Sequence, residues 1–176
     1  RDGTLIQEKE YLCDPDQVEV FPEAFAGLQR LLAAGFTLFI VTNQSGVGRG
    51  YFTMADVDRV HARVVQEFQK HGITFRSIYI APEAPDQPSR GRKPSPQLLF
   101  DARDEFGLDL ASSFMIGDKL IDLECGWNAG VGASLLVRTG YGRKVEREAP
   151  GALARAVIVD DLSGAADWIL AQARTP

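Results

Sequence analysis

Short apolar runs alternate with amphipathic stretches along almost the whole chain, and this alternation constrains the fold more than any other feature. The runs predicted to be strands are 36–43, 76–82, 112–118, 133–140 and 156–161. The stretches predicted to be helices are 23–35, 54–72, 95–107, 120–130 and 162–173. Strands that alternate with helices form βαβ units, in which helices cover both faces of a parallel sheet. We therefore predict one α/β domain over residues 1–176: a three-layer, Rossmann-like fold with a mostly parallel central sheet flanked by helices and no large cap domain.

Composition excludes several classes of function. The net charge of −5 argues against a nucleic-acid partner, because no overall positive field attracts phosphate backbones. No stretch approaches the roughly 18 apolar residues of a membrane span. The two cysteines show neither metal-binding nor disulfide spacing, which favours a reducing cytoplasm. Because no apolar stripe exceeds what the core requires, we expect a monomer.

Polar groups follow the first predicted strand at its carboxyl end. In parallel α/β sheets, ligands bind beyond the carboxyl ends of the strands. The strand at 36–43 runs into hydroxyl, amide and glycine residues, whose side chains and backbone N–H groups can surround an anion. The side chains concerned are Thr42, Asn43, Gln44 and Ser45. This pattern is also that of an ordinary β–α turn.

Charged residues follow the later strands in the same way. Asp118 ends the strand at 112–118, and Asp122 lies one helical turn beyond it, an arrangement that suits a metal or a phosphate. Arg92 and Lys93 stand directly before Pro94, which biases Lys93 away from helical geometry. Taken singly, each group also fits a plain surface or helix-terminal role. Their succession after neighbouring strands favours a single site.

Four segments carry a resemblance to a known family. The segments "RDGT", "VTNQSG", "RKPSP" and "GDKLID" resemble, in order, the signature segments of the haloacid dehalogenase superfamily of phosphotransferases. The likeness covers nearly the whole chain. Within the superfamily, the chain most resembles the phosphatases that act on D-glycero-D-manno-heptose 1,7-bisphosphate and the related histidinol-phosphate phosphatases.

The resemblance implies a division of catalytic roles. Asp2 matches the general acid/base of the family's Asp-x-Asp-Gly-Thr segment, and the nucleophilic aspartate would directly precede Arg1. We therefore expect an N-terminal segment, ending in that aspartate and forming a central strand, before Arg1. By the same resemblance, Mg²⁺ would be held by the nucleophile, the Asp2 carbonyl and the Asp118 carboxylate. Thr42 and Lys93 would bind the transferring phosphoryl group.

The resemblance also implies a substrate-binding set and one departure from the family. The residues expected to contact or neutralise substrate are Glu8, Lys9, Glu10, Tyr11, Asn43, Gln44, Ser45, Arg92 and Lys119. Many relatives carry a structural zinc in the loop before "RKP". The aligned positions here are Ala81, Glu83, Ser89 and Gly91, which cannot form a thiolate–imidazole site. We predict no zinc.

Three functional interpretations follow. The first is a Mg²⁺-dependent phosphatase that hydrolyses a small sugar phosphate through an aspartyl-phosphate intermediate, in the first place a D-glycero-D-manno-heptose 1,7-bisphosphate 7-phosphatase. The second, within enzymes, is a phosphatase of histidinol phosphate or of another small phosphomonoester. The third, of a different class, is an inactive relative that binds a phosphorylated ligand. The residue before Arg1 discriminates the enzyme from the inactive relative.

Overall fold

The computed structural model describes residues 1–172, in which strands and helices alternate as predicted. The strands are β1 (Phe39–Asn43), β2 (Ser77–Ala81), β3 (Phe114–Gly117), β4 (Ala133–Val137) and β5 (Val157–Val159). The helices are α1 (Pro22–Ala33), α2 (Ser45–Gly48), α3 (Met54–Gln69), α4 (Gln97–Phe106), α5 (Leu120–Ala129), α6 (Gly142–Glu148) and α7 (Leu162–Gln172). Short 3₁₀ turns span Pro15–Gln17, Leu110–Ser112 and Pro150–Leu153. Residue 173, the last of the predicted closing helix, lies outside the described residues.

The five strands of residues 1–172 pair only in parallel, which confirms the predicted α/β class. β1 pairs with β2, and β4 pairs with β3 on one side and β5 on the other. Within residues 1–172 the strands form a two-stranded and a three-stranded sheet, with no described strand between β1 and β3. The two strands instead flank a cleft of about 330 Å³. Its walls are largely apolar and include Leu28 and Ile169 from the covering helices.

Local signals explain where the helices begin and end. The Thr53 hydroxyl accepts a hydrogen bond from the Asp56 N–H, and the Asp56 carboxylate accepts one from the Thr53 N–H, so α3 begins with a capping box. Gly72 follows the helix with a φ of 71°. Helix α6 was not predicted. Its sequence, "GRKVERE", is mostly charged and has no apolar face to signal a helix.

The main core lies between the strands and helices α1, α3 and α7. Its fully buried members include Ile6, Val60, Val64, Phe68, Ile73, Leu135 and Ala165. Helices α1 and α7 approach closely at Gly27, where a Cβ atom would lie 2.4 Å from the Leu162 carbonyl oxygen. A smaller core under α5 joins Leu123 to Leu136. None of the helices in residues 1–172 is both long and apolar enough to cross a membrane.

Candidate active site

The side chains predicted to act on substrate converge on one pocket at the carboxyl ends of β1 and β3. The pocket has a volume of about 430 Å³. Its lining includes Asp2, Glu8, Glu10, Tyr11, Thr42, Asn43, Gln44, Ser45, Arg92, Lys93, Asp118 and Lys119. Lys9 is the exception among the predicted residues, because it does not line the pocket and its ammonium pairs with Glu19 instead. The expectation that Lys9 contacts substrate therefore gains no support.

Lys93 is fixed against the end of β1. Asn43 Oδ1 accepts a hydrogen bond from the Lys93 N–H at 3.0 Å, and Asn43 Nδ2 donates to the Lys93 carbonyl at 3.2 Å. The Lys93 ammonium donates to the Val41 carbonyl at 2.9 Å and forms an ion pair with Asp122 at 2.6 Å. The Lys93–Pro94 peptide bond is cis. An ammonium has three hydrogens to donate, so one remains for an anion in the pocket.

The Asp122 carboxylate is engaged in the ion pair with Lys93. It is 5% exposed, and its Oδ2 also accepts a hydrogen bond from the Lys119 N–H at 3.0 Å. Burial alone would raise the pKa of Asp122, but the adjacent Lys93 ammonium holds it below the usual range. Asp122 therefore stays ionised and keeps the lysine in place.

Asp118 is the most enclosed carboxylate of the pocket. Only 2% of the residue is exposed, and its Oδ2 accepts a hydrogen bond from the Tyr141 N–H at 2.9 Å. Burial, and then the charge of Asp122, raise the pKa of Asp118 to about 6. The backbone closes around it: a Cβ on Gly3 would lie 2.1 Å from Oδ2, and one on Gly140 would lie 2.4 Å from it.

The environment of Asp118 suits a divalent cation. Burial and a second carboxylate both disfavour the ionised form of Asp118, and a bound cation would reverse that preference. Carboxylate and carbonyl oxygens, such as those of Asp118 and of the Asp2 main chain, are the donors that Mg²⁺ prefers. Over residues 1–172, no group of three or more His, Cys, Asp or Glu side chains is placed to hold a metal ion. These side chains alone therefore do not complete a coordination shell.

Asp2 is held on both sides by polar neighbours. Arg1 Nη2 lies 2.8 Å from Asp2 Oδ1, and Gln44 Nε2 donates to Asp2 Oδ2 at 3.1 Å. The same Gln44 nitrogen donates to Thr42 Oγ1 at 2.8 Å. Burial would raise the pKa of Asp2, but the charge of Arg1 holds it below the usual range. Asp2 is therefore ionised in this structure and able to accept a proton.

Lys119 connects the loop after Asp2 to the catalytic end of β3. Its ammonium lies 3.0 Å from a Glu8 carboxylate oxygen and 4.5 Å from the centre of the Tyr141 ring. Burial would lower the pKa of Lys119, but the charge of Glu8 raises it above the usual value. Lys119 is therefore a fixed positive charge at the edge of the pocket.

Two consecutive residues of the same loop adopt a costly backbone conformation. Glu10 has a φ of 36° and Tyr11 a φ of 48°, in the left-handed region that side chains other than glycine disfavour. Tyr11 is 46% exposed, and its ring meets the 61% exposed Tyr51 edge to face, with centroids 4.7 Å apart. The strained pair thus holds an aromatic ring at the pocket entrance.

The proline-rich loop before Lys93 is closed by hydrogen bonds around Arg92. The Ser89 hydroxyl donates to a Glu83 carboxylate oxygen at 2.7 Å and accepts from the Arg92 N–H at 3.0 Å. Arg92 Nη1 donates to the Glu83 carbonyl at 3.0 Å. Glu83 and Ser89 occupy two of the four positions at which the resemblance led us to look for zinc ligands. In this chain they join the two sides of the loop directly.

Sequence reasoning missed the segment that follows β4. The Thr139 hydroxyl donates to the Gly3 carbonyl at 2.6 Å, and the Tyr141 N–H binds Asp118. The first contact fixes the backbone directly after Asp2, and the second fixes the Asp118 carboxylate. The missed signal was positional, since residues directly after a parallel strand face the ligand edge of the sheet. Arg1 was missed as well, although it immediately precedes the predicted general acid.

Comparison with known proteins identifies the relatives of this chain. Residues 91–165 match a family model described as HAD-hydrolase-like. The D-glycero-β-D-manno-heptose-1,7-bisphosphate 7-phosphatase of Escherichia coli K12 is 33% identical over 97% of this chain and 85% of its own length. The D-glycero-α-D-manno-heptose-1,7-bisphosphate 7-phosphatase of Campylobacter jejuni is 36% identical over 78% of this chain and 78% of its own length.

A solved structure agrees with the sequence relatives. The D,D-heptose 1,7-bisphosphate phosphatase of Bordetella bronchiseptica, crystallised with magnesium and phosphate, superposes with a TM-score of 0.90 at 31% identity. The match covers 98% of this chain and 96% of that structure. Sequence and fold thus agree over nearly the full length of both proteins. The chain belongs to the haloacid-dehalogenase-like (HAD) hydrolase family.

Proposed function

We propose that this protein is a Mg²⁺-dependent phosphatase that removes one phosphate from D-glycero-D-manno-heptose 1,7-bisphosphate. The observation that carries the proposal is the convergence of Asp2, Thr42, Lys93 and Asp118 in one pocket. The named relatives add the substrate class, since they are heptose 1,7-bisphosphate phosphatases in sequence and in structure. Magnesium, when bound, would supply positive charge beside the phosphoryl oxygens, with the Asp118 carboxylate and the Asp2 carbonyl among its ligands.

The chemistry of the proposal assigns two carboxylates. An aspartate oxygen attacks phosphorus while the bond from phosphorus to the sugar oxygen breaks, and Asp2 donates a proton to that oxygen. A dianionic phosphate beside Asp2 would raise its pKa, which favours the protonated form needed for this step. Asp2 then takes a proton from the water that hydrolyses the aspartyl-phosphate, returning both carboxylates to their first state.

We place the nucleophile at the position before Arg1, where the family motif has it. Arg1 lines both the pocket and the apolar cleft between β1 and β3. An extended segment lying in that cleft would pair with both strands and deliver its last residue to the pocket at Arg1. Mass spectrometry and N-terminal sequencing of the full protein test this placement. An asparagine, a serine or a chain start at this position would favour the inactive, ligand-binding alternative.

The remaining pocket residues are assigned to binding. Thr42 and Lys93 would hold the transferring phosphoryl group, with Asn43 and Ser45 close by. Arg92 suits the far end of a bisphosphate, because its guanidinium can donate two parallel hydrogen bonds to an oxyanion. Glu8, Glu10 and Tyr11 would face the sugar, while Lys119 balances the negative charge near Asp118.

We further propose that one domain over residues 1–176 acts as a monomer in the cytoplasm. Cys13 and Cys125 are both free, consistent with a reducing compartment. In residues 1–172 the exposed large hydrophobic side chains are Tyr11 and Tyr51, which contact each other at the pocket entrance. Light scattering coupled to gel filtration tests the monomer.

The function is tested by measuring phosphate release from both anomers of heptose 1,7-bisphosphate and from histidinol phosphate, with and without Mg²⁺. We expect metal-dependent release that is fastest with one heptose anomer and leaves one phosphate on the sugar. A faster reaction with histidinol phosphate would reassign the substrate. No release from any of the three esters would overturn the proposed phosphatase activity.

A further inference from the structure

Every polar atom of the Gln44 side chain already has a partner inside the protein, although the residue lines the pocket. It follows β1 directly, is 5% exposed, and its backbone N–H donates to the Ala81 carbonyl at 2.8 Å. Its amide nitrogen donates to Thr42 Oγ1 at 2.8 Å and to Asp2 Oδ2 at 3.1 Å. Its amide oxygen accepts from Arg1 Nη2 at 3.3 Å. An amide nitrogen has two hydrogens, and both are engaged inside the protein.

We infer that Gln44 is a positioning residue that orients the general acid/base Asp2, rather than a substrate contact. The inference rests on the proposed function. Arg1 donates to both oxygens of the Asp2 carboxylate, and Gln44, at the end of β1, donates a further hydrogen bond to Oδ2, so the carboxylate is restrained from two sides. Restraint of this kind keeps a proton donor in line with the leaving oxygen, and small misplacements of catalytic groups are costly in rate.

Gln44 also orients the neighbouring hydroxyl. Because Thr42 Oγ1 accepts a hydrogen bond from Gln44, the hydroxyl hydrogen of Thr42 stays available to donate to a phosphoryl oxygen. One amide therefore couples the group that protonates the leaving oxygen to a group that binds the phosphoryl. Asn43, the preceding residue, has a different partner: it holds the backbone of Lys93.

The contrast between Gln44 and Asn43 gives a readout specific to proton donation. A sugar alkoxide is a poor leaving group and requires a proton, whereas p-nitrophenolate leaves without one. Misorienting Asp2 therefore slows the sugar ester selectively. Misplacing Lys93 weakens phosphoryl binding, which both esters share.

The experiment compares Gln44→Leu and Gln44→Glu with the matched control Asn43→Ala, using heptose 1,7-bisphosphate and p-nitrophenyl phosphate. Gln44→Leu removes the amide at similar volume, and Gln44→Glu keeps the acceptor for Arg1 while removing both donated bonds. For both variants we expect kcat on the sugar ester to fall about 10²-fold, within the range attributed to general acid catalysis, with a much smaller fall on the nitrophenyl ester. Asn43→Ala should slow both esters by similar factors. Thermal unfolding identifies any variant that fails to fold.

The outcomes separate the two claims. If the wild-type enzyme hydrolyses both esters but Gln44→Glu slows them equally, the positioning role is wrong while the proposed function stands. The same holds if the Gln44 variants raise KM for the sugar ester at unchanged kcat, which is the signature of a lost substrate contact. If the wild-type enzyme hydrolyses neither ester, the proposed function fails and the inference fails with it.

Discussion

The floor and the entrance of the pocket are built in opposite ways. The floor consists of side chains that hold one another: Asp2, Thr42, Asn43, Gln44, Lys93 and Asp122. Its members are largely buried and connect residues on neighbouring strand ends. The entrance consists of Glu8–Tyr11 and the loop from Glu83 to Arg92, whose side chains pair across loops. The difference distinguishes a buried, mutually bonded group of side chains, to which we assign the reaction, from a surface whose side chains can be substituted without breaking those bonds.

The free-energy cost of breaking an interaction also differs between the floor and the entrance. Breaking a buried ion pair by removing one partner leaves an uncompensated charge and costs about 3–5 kcal/mol. Exposed ion pairs contribute about 0–1 kcal/mol, and single neutral hydrogen bonds about 1 kcal/mol. Substitutions in the floor should therefore lower both stability and activity. Substitutions at the entrance should change substrate preference while leaving the fold almost unaffected.

The largest effect is expected from Asp122→Ala. The substitution leaves the buried Lys93 ammonium without its carboxylate, so we expect the free energy of unfolding to fall by about 3–5 kcal/mol. Phosphate release should be nearly abolished, because Lys93 loses its position. Urea unfolding and an ester assay measure the two effects. Asp161→Ala is the matched control: it removes a helix-capping carboxylate far from the floor and should cost about 1 kcal/mol with normal activity. Equal losses for both variants would contradict the proposed role of the ion pair.

The next effect concerns His61, which lies 5% exposed beneath the floor with its Nε2 lacking a hydrogen-bond partner in residues 1–172. Burial, and then the charge of Arg1, lower the pKa of His61 to about 3. Between that value and the ordinary value of about 6.5, the unfolded chain binds more protons, so stability falls as the pH falls. We expect a contribution of up to about 1.4 kcal/mol per pH unit. His61→Gln should flatten the pH dependence of urea unfolding, whereas the same change at exposed His71 should preserve it.

The floor was predictable from sequence and the entrance was not, for a physical reason. Thr42, Asn43 and Gln44 lie at the end of β1 and Asp122 follows β3, so the topology brings these residues together whatever the loops do. Asp2 is the exception, since it was assigned by the resemblance alone. Lys9 lay in a segment assigned by resemblance alone, and its orientation depends on the local pairing with Glu19. Thr139 and Tyr141 were not predicted, because they act through a hydroxyl and a backbone N–H. Neither group produces a recognisable pattern of charged residues in the sequence. The gap between β1 and β3 was expected only from the resemblance, which implies a central strand before Arg1, because strand alternation does not give strand order.

At the entrance, Ser89→Ala tests the closure of the proline-rich loop by hydrogen bonds. The substitution removes the hydrogen bonds from Ser89 to Glu83 and from Arg92 to Ser89, so Arg92 should lose its fixed position. We expect about 1 kcal/mol less binding energy for the bisphosphate, which is roughly a fivefold rise in KM, at unchanged kcat. Steady-state kinetics check this, with the monophosphate p-nitrophenyl phosphate as the control substrate. A matching rise in KM for the control would show that Arg92 does not recognise the second phosphate.

The smallest effect is expected from Tyr51→Ala, which removes the partner of Tyr11 outside the pocket lining. An edge-to-face pair adds about 0.5–1.5 kcal/mol beyond its buried area, and the exposure of both rings favours the low end. Stability should fall by about 0.5 kcal/mol, since a strained Tyr11 loses one of the contacts that hold it at the entrance. Because Tyr51 is not among the residues that line the pocket, kcat on p-nitrophenyl phosphate should match that of the wild-type enzyme. A fall in that kcat would mean that the entrance and the floor are coupled, and the division between them would have to be abandoned.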